Sequence, residues 1–71
     1  MKLFVWKDFI CDYTCGVAFV VASNAEEARK EIKKQLLEDG WRAHSADLFL
    51  KPAPEVYSLD EKFGYYVAGG G

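Results

Sequence analysis

Seventy-one residues make one domain. That is close to the ~70–80 residues below which a core alone supplies little stability. Half of the chain is hydrophobic, and five Phe, two Trp and four Tyr bring large rings that suit a small core. A formal charge of −2 argues against sequence-independent nucleic-acid binding, which needs a basic stripe. No run reaches the ~18 apolar residues of a membrane span, and Lys7 and Asp8 interrupt the N-terminal run too early for a signal peptide. The expected location is therefore a cytosol.

Residues 2–10 read as a first strand. Leu3, Val5 and Phe9 point one way along it, and Phe4 and Trp6 the other. Cys11-Asp12-Tyr13-Thr14-Cys15-Gly16 reads as a turn, with Gly16 supplying a permissive φ. Residues 17–22 return as the second strand of an antiparallel hairpin. Val17, Phe19 and Val21 share one face of it, and Ala18, Val20 and Ala22 the other.

Ser23-Asn24-Ala25-Glu26 reads as a capping box, and the helix then runs over 24–39. Ala25, Ala28, Ile32 and Leu36, widened by Leu37, form its core-facing stripe. Glu26–Lys30 and Lys34–Glu38 pair on the outer side. Gly40 is the expected left-handed cap, with Trp41 folding back on Leu36. Residues 41–50 fit a short helix capped by Ser45 or a strand, and Pro52 and Pro54 beyond them favour the helix.

Glu55-Val56-Tyr57-Ser58-Leu59 alternates like a strand, Asp60-Glu61-Lys62 makes a turn, and Phe63-Gly64-Tyr65-Tyr66-Val67-Ala68 reads as a last strand. The expected fold is an α+β, two-layer domain over residues 1–68. It has a four-stranded, mainly antiparallel sheet in the order ββα(α)ββ and one main helix on one face. Gly69–Gly71 form a loose tail.

Both faces of the opening strands are apolar, and one helix covers only one of them. The uncovered face calls for a second copy, a partner protein or a short extra segment of the chain, and which face is free stays open. The aromatic candidates for partner contact are Phe4, Trp6, Tyr57, Tyr65 and Tyr66, since Trp and Tyr are favoured interface anchors. Their alternative role is core and cross-strand packing. Glu26, Glu27, Glu31 and Glu38, with Asp39, Asp60 and Glu61, offer a field for a basic partner, beside the ordinary role of keeping a helix and a turn solvated.

Chemistry finds little footing. Asp8 and Asp12 flank a turn, where paired carboxylates are usually just solvated. His44 is the single histidine, so neither a metal set nor a Cys–His pair is expected, and no cofactor is expected either. Cys11 and Cys15 sit four apart; reduced thiols are the expected state in a cytosol, and a bridge between them would close only a small ring.

Several segments carry a resemblance: the Lys2-Leu3-Phe4-Val5-Trp6 opening, the Asp12-Tyr13-Thr14-x-Gly16 turn, and the Ala25-Glu26-Glu27-Ala28-Arg29 helix start. The ending Pro54-x-Val56-Tyr57-x-Leu59-Asp60, then Tyr66-Val67-x-Gly69-Gly70-Gly71, joins them. Together they resemble small proteins encoded by bacteriophages and other mobile elements, over most of the chain except residues 40–51. By size and acidity the chain is similar to phage inhibitors of bacterial defence, anti-CRISPR proteins among them. That resemblance implies a non-catalytic inhibitor in the host bacterial cytoplasm, binding a defence complex by its protein surface, with no direct nucleic-acid or membrane contact. Val67-Ala68-Gly69-Gly70 is also similar to the end of ubiquitin-like sulfur carriers, which activate a C-terminal glycine carboxylate. Gly71 and the Tyr65-Tyr66 strand depart from that pattern. A generic protein-interaction module is the third reading.

Overall fold

A computed structural model describes residues 1–11, 15–62, 64 and 66. The chain runs β1 (Lys2–Phe9), β2 (Gly16–Ala22), α1 (Ala25–Glu38), α2 (Ala43–Phe49) and β3 (Glu55–Ser58). The sheet order is β2-β1-β3, and both neighbours of β1 are antiparallel to it. Among the described residues the sheet thus has three strands rather than the expected four. Of the expected last strand, Phe63, Tyr65, Val67 and Ala68 lie outside the described residues, as does the glycine tail, and Gly64 and Tyr66 belong to no strand.

Cross-strand pairing sorts the side chains. Phe4 faces Val20, Trp6 faces Ala18, and Phe4 faces Val56 on the other side. These residues share the face against which both helices pack, because Phe4, Trp6, Ala18 and Ala22 form one core with Ala28, Ile32 and Leu36 of α1 and with Ala46 and Leu50. The two alanines of β2 remove bulk where α1 crosses the sheet, so the helix backbone can approach closely. Ala28 and Ala46 are fully buried at the same layer.

Phe9 departs from the expected alternation. It belongs to the same core as Phe4 and Trp6, not to the face of Leu3 and Val5. The pairing register shifts between Trp6 and Phe9. Asp8 and Ile10 both take positive φ, 52° and 53°. A bulge of this kind adds one residue and turns every later side chain to the opposite face. Phe9 can then pack edge-on against Phe49 of α2, with ring centroids 5.9 Å apart.

The helix ends carry their own corrections. Asn24, not Ser23, caps α1: its Oδ1 accepts the Glu27 amide at 2.9 Å. The C-terminal cap follows the expectation. Gly40 has φ 98°, its amide donates to the Leu37 carbonyl at 3.1 Å, and the Trp41 amide donates to the Leu36 carbonyl at 3.0 Å. This is the paired bonding of a Schellman motif. The Trp41 ring lies edge-on against Phe49 at 5.2 Å. α2 is the short helix favoured before the prolines, but it starts earlier, after Arg42, and Ser45 sits inside it rather than capping it.

Candidate partner-binding face

The face of the sheet away from the helices carries Leu3, Val5, Val17, Phe19, Val21, Glu55 and Tyr57, by the pairings Leu3–Val21, Val5–Phe19, Leu3–Tyr57 and Val5–Glu55. Exposure is uneven across it. Val5, at the centre, is 2% exposed, and Leu3 and Tyr57 are half-buried. The β2 row is open: Val17 is 37% exposed, Phe19 66% and Val21 50%. Three large apolar side chains at alternate positions of one strand thus form a continuous exposed row. The sequence already placed them together, and the helices' choice of the alanine face of β2 leaves that row uncovered.

Of the expected aromatic contacts, Phe4 and Trp6 are corrected outright. Each is 3% exposed on the helix face, so neither can touch a partner without opening the core. Tyr57 stands on the far face, and its hydroxyl donates to Glu55 Oε2 at 2.9 Å. Glu55 also pairs with Lys7 at 3.2 Å, a partly exposed ion pair of small energetic weight. Tyr66 is 86% exposed. Tyr65 lies outside the described residues. Phe19, Val17 and Val21 are exposed apolar residues of this face that are not among the expected contacts. Their signal was the alternation of β2 itself, with bulky residues on one parity and alanines on most of the other.

The four expected acids do not form one patch. All are exposed on α1. Glu27, Glu31 and Glu38 recur at four and seven residues and so share one flank of the helix. Glu26 lies on the other flank, in a shallow groove with Arg29, Lys33, Asp47 and Lys51. There Lys33 bridges to Asp47 at 2.9 Å and ties α1 to α2. A second groove of about 440 Å³ lies between α1 and the rim of β2, lined by Ile32, Gln35, Leu36 and Asp39 on the helix side, and none of the four expected acids lines it.

At the hairpin tip the expected free thiols are absent: Cys11 and Cys15 form a disulfide, with Cα atoms 4.0 Å apart. The bulged end of β1 and the start of β2 converge there, which sets the two side chains within bonding reach. A bonded pair is the form that an oxidising compartment sustains, so the cysteines lend no support to the expected cytosol. Asp8 and the two sulfurs offer ligand atoms within 4.8 Å of one another, all exposed. A metal binds cysteine as the thiolate, and in the bonded state this cluster presents only the carboxylate. His44 stands exposed on α2. Among the described residues, no helix is long and apolar enough to cross a membrane.

Compared with known proteins, no family model, curated protein or solved structure matches this chain.

Proposed function

We propose that this chain is a non-catalytic binding protein that docks a protein partner through the exposed row Val17, Phe19 and Val21. The observation that carries the reading is that row: three bulky apolar side chains open to solvent on one strand, while the two sheet aromatics best suited to anchoring, Phe4 and Trp6, are spent in the core. Contiguous apolar surface of this kind marks interaction sites. The partner class follows from the resemblance to phage-encoded inhibitors: a host defence complex, occupied without turnover. The acidic balance of the chain favours a partner that is itself basic because it binds nucleic acid.

The test is retention of a CRISPR effector or another purified bacterial defence complex on the immobilised chain. Phe19→Lys and Val21→Lys are expected to release it while leaving the helix signal in circular dichroism intact. Equal retention by the parent and both variants overturns the docking row. Retention of an adenylating enzyme, lost when Gly69–Gly71 are removed, overturns inhibition and supports the sulfur-carrier reading instead.

A further inference from the structure

We propose that the outer edge of β2 takes an extended, basic segment of the partner as an added strand, with alternate side chains entering the groove between β2 and α1. This rests on the reading that the β2 row is the docking surface, and it names how that surface is used.

Three observations lead there. First, β2 stands at the end of the sheet order, and among the described residues β1 is its one hydrogen-bonded neighbour. An edge strand presents backbone N–H and C=O groups outward, and proteins usually blunt such edges with charge or proline. Gly16-Val17-Ala18-Phe19-Val20-Val21-Ala22 has neither. Second, the edge is flanked by a groove of about 440 Å³ lined by Phe9, Ala18, Ile32 and Leu36, with Gln35 and Asp39 on the helix side and Val17 and Phe19 of the exposed row on the β2 side. An edge beside a side-chain groove is the arrangement for strand addition: main-chain bonds supply affinity, and the groove selects alternate side chains. Third, the groove carries one sign of charge. Asp39 lines it, and no Lys or Arg does. Glu31 stands four residues before Gln35 and Glu38 three after it, both exposed and outside the lining. Lys34 stands three residues from Glu31 and four from Glu38 on that same side of α1, and Lys30 lines the groove toward α2, so the negative character of the β2 groove rests on Asp39.

A second copy fits this site less well than a basic segment. β2 pairing with itself would offer the groove only the short side chains Ala18, Val20 and Ala22 from the other copy, and no cation for Asp39. A segment with larger apolar side chains at alternate positions fills the groove. Its other parity lies beside Val17, Phe19 and Val21, and a Lys or Arg meets Asp39. β2 is seven residues long, so a segment of about five to seven residues spans it.

The experiment selects from a random displayed heptapeptide library on the immobilised full chain, then measures the selected peptides, fluorescein-labelled, by anisotropy at low and high salt. The expected peptides alternate apolar side chains and carry Lys or Arg toward one end. N-methylation at alternate amides on one parity weakens binding at least ten-fold, and methylation on the other parity changes it little. Gln35→Trp, an exposed change that fills the groove, weakens binding comparably, and added salt weakens it further. Selection of no sequence family, selection without alternation, or indifference to N-methylation on both parities overturns strand addition. So does a dimer in sedimentation equilibrium that Gly16–Ala22 substitutions dissociate. If these arms fail while Phe19→Lys still releases the defence complex, only the mode of docking is lost; if Phe19→Lys releases nothing, the docking row itself falls.

Discussion

Trp6 reaches across 46 residues of sequence to donate its indole N–H to the carbonyl oxygen of Pro52 at 2.8 Å. Arg29 closes the same junction from α1. Its Nε donates to the Leu50 carbonyl at 3.0 Å, its Nη2 lies 3.5 Å from the Pro52 carbonyl, and its guanidinium sits over the Trp6 ring, 5.8 Å from the centroid. The exit of α2 is thereby fastened to both the central strand and the main helix, and a buried indole keeps its polar atom satisfied.

Removing the bond while keeping most of the ring is the direct test. Trp6→Phe is expected to cost about 1–3 kcal/mol in urea unfolding, because the Pro52 carbonyl loses its shortest donor and the smaller ring leaves space. Arg29→Met should cost about 1–2 kcal/mol, the lower value reflecting its half-exposed position. In a double-mutant cycle the pair should couple by at least about 0.5 kcal/mol. Strict additivity would mean that the two side chains do not act together.

The two candidate caps of α1 separate cleanly. Asn24→Ala is expected to cost about 1 kcal/mol, since it removes the acceptor of the Glu27 amide. Ser23→Ala should change stability by no more than a few tenths of that. The reverse ranking in thermal unfolding would return the cap to Ser23.

Gly40 offers a test of backbone strain alone. A Cβ built there meets nothing within 4 Å, so Gly40→Ala adds no clash. The φ of 98° still disfavours any L side chain, and a cost of about 1 kcal/mol is expected. A variant as stable as the parent would show that the chain leaves α1 by another path.

How much of this was legible in the sequence depends on the range of the interaction involved. The apolar stripe Ala28, Ile32 and Leu36 and the Gly40 cap follow from local periodicity and local φ, and both appear in the structure as read. The burial of opposite faces by Phe4/Trp6 and Leu3/Val5 follows from strand alternation. Phe9 does not, because a bulge at Asp8 resets the phase, and nothing in Lys7-Asp8-Phe9-Ile10 announces left-handed backbone at Ile10, a β-branched residue that resists it. Ser23 and Asn24 are both good caps, and sequence offers no means of ranking neighbours that differ by one residue of helix start. The alternation that sets Val17, Phe19 and Val21 on one side is legible in β2, but aromatic content does not single that row out. Which parity the helices cover is decided by the packing of Ala18 and Ala22 under α1, and that is a tertiary fact.

The Cys11–Cys15 bridge predicts a small effect. In the chain-entropy model, a bond between residues four apart contributes at most about 2 kcal/mol. Thiol titration of the native, unreduced protein should find no free thiol, and reductant should lower the urea midpoint modestly without unfolding the domain. Two titratable thiols in the native state would remove the bridge.

The last prediction sets a core residue against a surface one on the same two readouts. Ile32 is buried beneath the groove, and Phe19 is the most exposed residue of the β2 row. Ile32→Ala is expected to cost about 2–5 kcal/mol, from lost burial and the cavity left behind. On a small domain with little stability to spare, that is enough to populate the unfolded chain. Phe19→Lys removes an apolar ring from water and adds charge to an exposed strand, so stability should fall by less than about 1 kcal/mol or rise, and solubility should improve. Partner retention should show the opposite sensitivity: lost with Phe19→Lys in a fully folded protein, and with Ile32→Ala only in proportion to the unfolded fraction. Urea titration and retention on the immobilised chain, run on both variants, read the two effects separately. A large stability loss from Phe19→Lys would mean that this ring belongs to the core of the fold, and the exposed row would then have no claim as a docking surface.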